Sequence, residues 1–222
     1  MRAEVNWQPS LFDGSQFGAG EPRPDLEYAG LRRIELDADS WVDYCPGWLG
    51  GADALFAELA ADARWQQRTV RMWERELPEP RLTAGWSVDR EDGDLPVSLS
   101  ALCTPLSQRY GVDFDRVWVN LYRDGSDSVA WHGDRNRHVM TRPVVATVSL
   151  GARRRFLLRK RGTTKALHEL HPGEGDLVVM GGACQSDWEH TVPKTTKPVA
   201  PRMSVTIRHS QPAPGERRLQ RT

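Results

Sequence analysis

His132, Gly133 and Asp134 put an imidazole and a carboxylate two residues apart. In an extended segment such i and i+2 side chains point the same way, so both can meet one ion. Two histidines and one carboxylate on a single face of an octahedron leave three positions open for a co-substrate and O2, the ligand set of non-haem Fe(II) oxygenases. A third ligand is therefore needed. His190 is the best placed of the remaining histidines. It follows the apolar run Leu177–Met180 and the Gly181-Gly182 turn, on a later strand or loop that a jelly roll would return beside the first pair. His138, His168, His171 and His209 lack that placement. A His-x-Asp tripeptide by itself is also what a surface loop offers, so its weight depends on its surroundings.

The segment Arg202–Arg208 alternates strictly, with Met203, Val205 and Ile207 on one face and Arg202, Ser204, Thr206 and Arg208 on the other. It is either an antiparallel strand with a solvated polar face or a strand whose polar face looks into a barrel. In the second case a fixed guanidinium can hold a dicarboxylate through two parallel hydrogen bonds. Trp118, Asn120 and Tyr122 likewise share a face, opposite Val117, Val119 and Leu121, so Asn120 and Tyr122 could donate to the same carboxylate.

These residues need a frame. The 222 residues suit one domain that can bury a core without disulfides or a structural metal. Lys plus Arg and Asp plus Glu number 30 each, so any polyanion contact must come from local charge. The amino terminus lacks a secretory pattern and no apolar run approaches 18 residues, which predicts a cytoplasmic protein with no membrane contact. Three separated cysteines give no disulfide framework. The nine tryptophans are mostly core candidates, some of which could serve as flat surfaces for bases.

Residues 1–25 and 210–222 read as poorly ordered ends of a single domain over 26–209. The spacing predicts helices over 53–65, with Asp53 as N-cap, and over 96–109, kinked at Pro105. Short strands follow at 117–122, 144–150, 155–159, 167–170, 177–180 and 203–208. Helices first and strands after argue an α+β chain whose C-terminal half, about 115–209, is a sandwich or jelly roll.

Taken in order, Asn120-x-Tyr122, His132-x-Asp134, Val148-Ser149-Leu150-Gly151, His190, and Arg202 with five residues before Arg208 resemble the AlkB family of 2-oxoglutarate-dependent nucleic-acid dealkylases, over roughly residues 65–209. Trp7–Phe12 looks like the start of its bacterial members. The resemblance implies a double-stranded β-helix core with the N-terminal helices packed on one sheet, and Fe(II) on His132, Asp134 and His190. It also implies Asn120, Tyr122 and Arg202 on the distal carboxylate of 2-oxoglutarate, with Arg208 near the metal-bound end. Ser204 stands where some members have an asparagine. A substrate lid is implied over about 68–95.

From Arg135 to Lys165 the chain has ten basic residues and no acidic one, a local patch beside the proposed ligands that could orient a nucleic-acid strand. Trp86 and Arg81 lie in a loop-like stretch of the lid and are candidates for substrate contact, Trp86 by stacking on a base taken out of its duplex. Met72 and Trp73 could wedge into a duplex, though core packing suits them better, and Trp131 should point away from the metal. Close relatives often carry acidic residues just after the metal-binding Asp; here Arg135 and Asn136 stand there as substrate contacts, which leaves base preference open.

The expectation is a monomeric Fe(II)-, 2-oxoglutarate- and O2-dependent demethylase of alkylated DNA bases such as 1-methyladenine and 3-methylcytosine. Its rivals are a 2-oxoglutarate oxygenase acting on RNA, protein or a small molecule, and a non-catalytic jelly-roll metal-binding module.

Overall fold

The computed structural model of the chain describes residues 20–72, 75–87, 95–134, 140 and 142–211. Four short strands come first: β1 (Arg23–Pro24), β2 (Arg32–Glu35), β3 (Ser40–Cys45) and β4 (Leu49–Gly50). Helix α1 (Ala52–Asp62), the hairpin β5 (Thr69–Met72) and β6 (Arg75–Pro78), strand β7 (Leu82–Ser87) and helix α2 (Val97–Tyr110) follow. The remaining elements are β8 (Phe114–Tyr122), β9 (Val129–His132), β10 (Val145–Gly151), β11 (Phe156–Lys160), β12 (His168–Leu170), β13 (Leu177–Gly182), α3 (Cys184–Asp187), β14 (Trp188–Val192) and β15 (Arg202–His209).

From β8 onward the chain moves back and forth between two antiparallel sheets. The larger has the order β2-β3-β13-β10-β15-β8-β7 and the smaller β12-β11-β14-β9. Within them β8-β15-β10-β13 faces β9-β14-β11-β12, the strand order of a jelly roll.

One face of the large sheet is covered by helices. Leu55, Phe56 and Leu59 of α1 and Leu99, Leu102 and Leu106 of α2 share a buried cluster with Val117, Val119, Leu121, Val148, Val205 and Ile207. Each such side chain contributes about 1.5–3 kcal/mol by leaving water, so this layer holds both helices. The other face meets the small sheet through Val42, Tyr44, Tyr122, Phe156, Met180 and Trp188. Cys45, Cys103 and Cys184 are buried free thiols.

Several expectations change. Strands precede the first helix, and β2 and β3 extend the large sheet. Gly51, not Asp53, is the N-cap of α1, and Asp53 lies in its first turn. Arg23 and Pro24, placed by sequence in a poorly ordered end, pair with Gly50 and Leu49. The stretch holding Trp86 is not a loop but the edge strand β7, paired with β8. Residues 1–19, including Trp7–Phe12, and 212–222 lie outside the described residues.

Candidate metal centre and co-substrate pocket

Cross-strand pairing turns the alternation of β15 into rows on the inner face of the large sheet. Gly151, Arg202 and Tyr122 form one row. Ser149, Ser204, Asn120 and Thr83 form the next, followed by Thr147, Thr206, Trp118 and Gly85. Arg208 stands in the row beyond, beside Val145 and Arg116. A cavity of about 1570 Å3 lies over these rows, and Asn120, Tyr122, Arg202, Ser204 and Arg208 all line it with the His-x-Asp pair.

Arg202 is 1% exposed, yet only part of its guanidinium is used. Its Nη2 donates to Ser149 Oγ at 2.9 Å, while Nε and Nη1 have no partner among the described residues. Burial pulls its pKa below the ordinary arginine value. Two nitrogens with unpaired N–H groups on a buried cation cost several kcal/mol unless an anion meets them. Around the same point, Tyr122 lies 5.4 Å from the Arg202 guanidinium, and Asn120 Nδ2 donates to Ser204 Oγ at 3.3 Å. The chemistry of these donors fits a carboxylate.

At the other end, β9 and β14 pair so that His132 lies opposite His190. Ligand atoms of His132, Asp134 and His190 all fall within 4.8 Å of one another. The His132 Nδ1 lies 2.8 Å from Ala130 O. A carbonyl only accepts, so Nδ1 carries the hydrogen and Nε2 keeps its lone pair for a metal. Burial, then the neighbouring His132, push His190 down to about 3, so its imidazole is neutral. Phe156 stacks on that ring at 5.2 Å.

Burial alone would raise the Asp134 carboxyl; the Arg208 guanidinium, then His190 and His132, outweigh it and hold the group at about 2. Arg208 is the decisive one at neutral pH, because His190 is itself uncharged there. Arg208 Nη2 donates to Asp134 Oδ1, whereas Oδ2 is buried, has no hydrogen bond among the described residues and lies 3.8 Å from His190 Nε2. An orphaned carboxylate oxygen between two imidazoles fits a divalent iron.

Two further residues set the position of Asp134, and the sequence reading missed them. Gln185, fully buried in α3, accepts the Asp134 backbone N–H on Oε1 at 2.8 Å. A Cβ on Gly133 would stand 2.4 Å from the Gln185 carbonyl, so the His-x-Asp loop approaches α3 this closely only with glycine between the two ligands. Arg154 was counted only as part of the basic run. It is 4% exposed and donates to the carbonyls of Asp124, Asp127 and Pro193, tying down the turn that leads from Tyr122 to β9.

The substrate candidates fare differently. Trp86 pairs with Val117, opposite in parity to Asn120, and packs against the helix-side core while bordering the cavity. Arg81 is built into the fold: Nε donates to Asn120 Oδ1 at 3.1 Å, Nη1 to Ser128 O at 3.3 Å, and Nη2 meets Glu79 at 3.0 Å. It thereby turns the Asn120 amide so that Nδ2 faces Ser204. Trp131 lies under the Arg159 guanidinium at 4.3 Å. Arg135, Asn136, Arg137, His138 and Trp73, and the side chain of Met72, lie outside the described residues.

The basic run is not a free patch. Arg142 pairs with Asp39, Arg155 with Glu169, Arg159 and Arg161 with Glu189, and Lys160 with Asp37. Four carboxylates thus engage five of the run's ten cations among the described residues.

Facing an orphaned carboxylate and two imidazoles with a buried, half-used arginine defines a class: non-haem Fe(II) oxygenases that take a dicarboxylate co-substrate. A model of the 2OG-Fe(II) oxygenase superfamily matches residues 51–219. Alpha-ketoglutarate-dependent dioxygenase alkB homolog 3 of Bos taurus is 32% identical over 88% of this chain and 76% of that protein. DNA oxidative demethylase ALKBH2 of Mus musculus is 31% identical over 92% of this chain and 96% of that protein. A solved oxidoreductase of the 2OG-Fe(II) oxygenase family from Burkholderia pseudomallei aligns with TM-score 0.48 at 16% identity, covering 82% of this chain and 86% of that one. The chain belongs to the AlkB family within the 2OG-Fe(II) oxygenase superfamily, whose cofactors are Fe(II), 2-oxoglutarate and O2.

Proposed function

We propose that the chain is an oxidative demethylase that removes alkyl groups from DNA bases such as 1-methyladenine and 3-methylcytosine. The observation that carries the oxygenase half is the presence, in one cavity, of Asp134 Oδ2 and of Nε and Nη1 of Arg202, all without a hydrogen-bond partner among the described residues. The substrate half is supported by a relative of closely similar extent that is named a DNA oxidative demethylase.

In this reading His132, Asp134 and His190 hold Fe(II), and Arg202, Asn120, Tyr122 and Ser204 hold the distal carboxylate of 2-oxoglutarate. Iron with 2-oxoglutarate and O2 supplies the oxidising equivalents that hydroxylate an N-methyl carbon, with succinate and CO2 released. Arg208 keeps Asp134 ionised and fixes its orientation. Arg81 holds the Asn120 amide by its oxygen, so that Nδ2 faces Ser204 within the proposed carboxylate site. Phe156 and Val192 give the cavity an apolar side that excludes water near His190. The resulting hydroxymethyl amine loses formaldehyde without a protein base.

The test is to incubate the protein with iron, ascorbate, 2-oxoglutarate and a single-stranded oligonucleotide carrying 3-methylcytosine, and to measure the base composition by mass spectrometry. Demethylation lost in His132→Ala supports the reading; its absence in wild type, or its persistence in the variant, overturns it. Succinate formed with a methylated RNA or a peptide but not with DNA would instead favour the rival oxygenase.

A further inference from the structure

The nucleic-acid reading needs a flat surface and positive charge at the cavity, and among the described residues those that sequence singles out supply them only in part. Trp86 packs on the helix side while bordering the cavity, and five cations of the basic run are held by four carboxylates. Both features exist elsewhere on the cavity wall.

Trp118 is on the inner face of β8, one row from Asn120 and Ser204, and partly exposed in the cavity. Its neighbour across β7 is Gly85, where a Cβ would stand 2.4 Å from a carbon of the indole ring. Only glycine lets the indole lie over the strand backbone, so Trp118 has a rigid floor. Above the ring the Arg68 guanidinium sits at 5.3 Å, a planar cation where another flat group could stack. Arg68 and Arg64 are both exposed on the cavity wall, and among the described residues neither has an acidic partner. Lys194 adds a third exposed cation to the rim, and Glu79, which could oppose them, is taken by Arg81. Asp62 remains as one opposing charge.

We propose that Trp118, seated on Gly85, is the platform on which a nucleic-acid base stacks at the cavity, and that Arg64 and Arg68 hold the phosphates flanking that base. The assignment rests on the nucleic-acid reading above and deepens it. Stacking suits a site that accepts a base out of its helix, because every base presents a π face, while phosphate contacts hold the strand in register. Arg68 leaves the ring as the base arrives and turns to the backbone.

The experiment measures Kd for a fluorescein-labelled methylated oligonucleotide by anisotropy, and Kd for 2-oxoglutarate by calorimetry, on full-length protein. Trp118→Leu should weaken oligonucleotide binding about 10- to 100-fold, and Trp118→Phe should restore it to within a few fold. Gly85→Ala, which displaces the indole while keeping it in the chain, should reproduce the defect. Kd for 2-oxoglutarate should stay within about twofold, since Arg202 and Asn120 are untouched. Arg64→Ala with Arg68→Ala should lower the slope of log K against log salt by about 1.4. Unchanged oligonucleotide binding in Trp118→Leu, with wild type still demethylating, overturns the platform and leaves the proposed function standing. Equal losses for oligonucleotide and 2-oxoglutarate make Trp118 a packing residue and also overturn it. A wild type that neither binds nor demethylates oligonucleotides overturns both readings.

Discussion

Replacing Arg202 with methionine should move stability and co-substrate affinity in opposite directions. The guanidinium is 1% exposed, and two of its three nitrogens have no partner among the described residues. Exchanging a buried ionic group for a hydrophobe of similar volume is commonly neutral or stabilising by about 1–4 kcal/mol. Against that stands the hydrogen bond to Ser149, worth about 1 kcal/mol. The net expectation is a gain of about 0–3 kcal/mol in the protein without 2-oxoglutarate. At about 2–4 °C per kcal/mol for a domain of this size, Tm stays constant or rises by up to roughly 10 °C. With 2-oxoglutarate the sign reverses, because the distal carboxylate would be buried without its cation at a cost of about 3–5 kcal/mol. Kd for 2-oxoglutarate should rise by roughly two to three and a half orders of magnitude. Calorimetric Tm with and without saturating 2-oxoglutarate, with Mn(II) in place of iron, reads both effects. A Tm that falls by more than about 5 °C while the 2-oxoglutarate shift survives would show Arg202 to be a structural residue, and the pocket assignment would fail.

Gln185→Met removes the acceptor of the Asp134 N–H at nearly constant volume; metal affinity, read by chelator competition with Co(II), should fall about 10- to 100-fold with little change in the melting of the metal-free protein. Asp37 offers a pH test. Its burial would raise the carboxyl, but Lys160 Nζ and Trp188 Nε1, donating at 2.9 and 2.8 Å, hold it below the usual range. A depressed folded value contributes stability that is present above the unfolded pKa of about 3.9 and is lost as pH falls towards the lower folded value. Lys160 is half exposed, so Asp37→Asn should cost no more than about 1 kcal/mol at pH 7 in a thermal melt, with the gap closing below about pH 4.

The residues that were legible in sequence are those whose placement follows from local periodicity. The two faces of β15 could be read because one is apolar and the other polar without a break. Arg202, Ser204, Thr206 and Arg208 all line the cavity, whereas Met203, Val205 and Ile207 lie in the helix-side core. His132 and Asp134 followed from the same period of two. Strand β3 was hidden because Asp43 interrupts its apolar pattern, and what buries that carboxylate is a pair of Arg33 hydrogen bonds and the Tyr110 hydroxyl, none of them local. Gly85 read as a loop residue, since its reason for being in a strand is an indole on the neighbouring one. The ion pairs within the basic run were hidden for a similar cause: Asp37 and Asp39, which meet Lys160 and Arg142, lie more than a hundred residues away.

Coupled product formation tests the central claim most directly. With a 3-methylcytosine oligonucleotide, Fe(II) and 2-oxoglutarate, succinate, formaldehyde and unmodified cytosine should appear in equal amounts, and all three should vanish together in Asp134→Ala. Loss of the methyl group without succinate, or succinate made equally well by Asp134→Ala, would contradict a site in which His132, Asp134 and His190 hold the iron that uses 2-oxoglutarate.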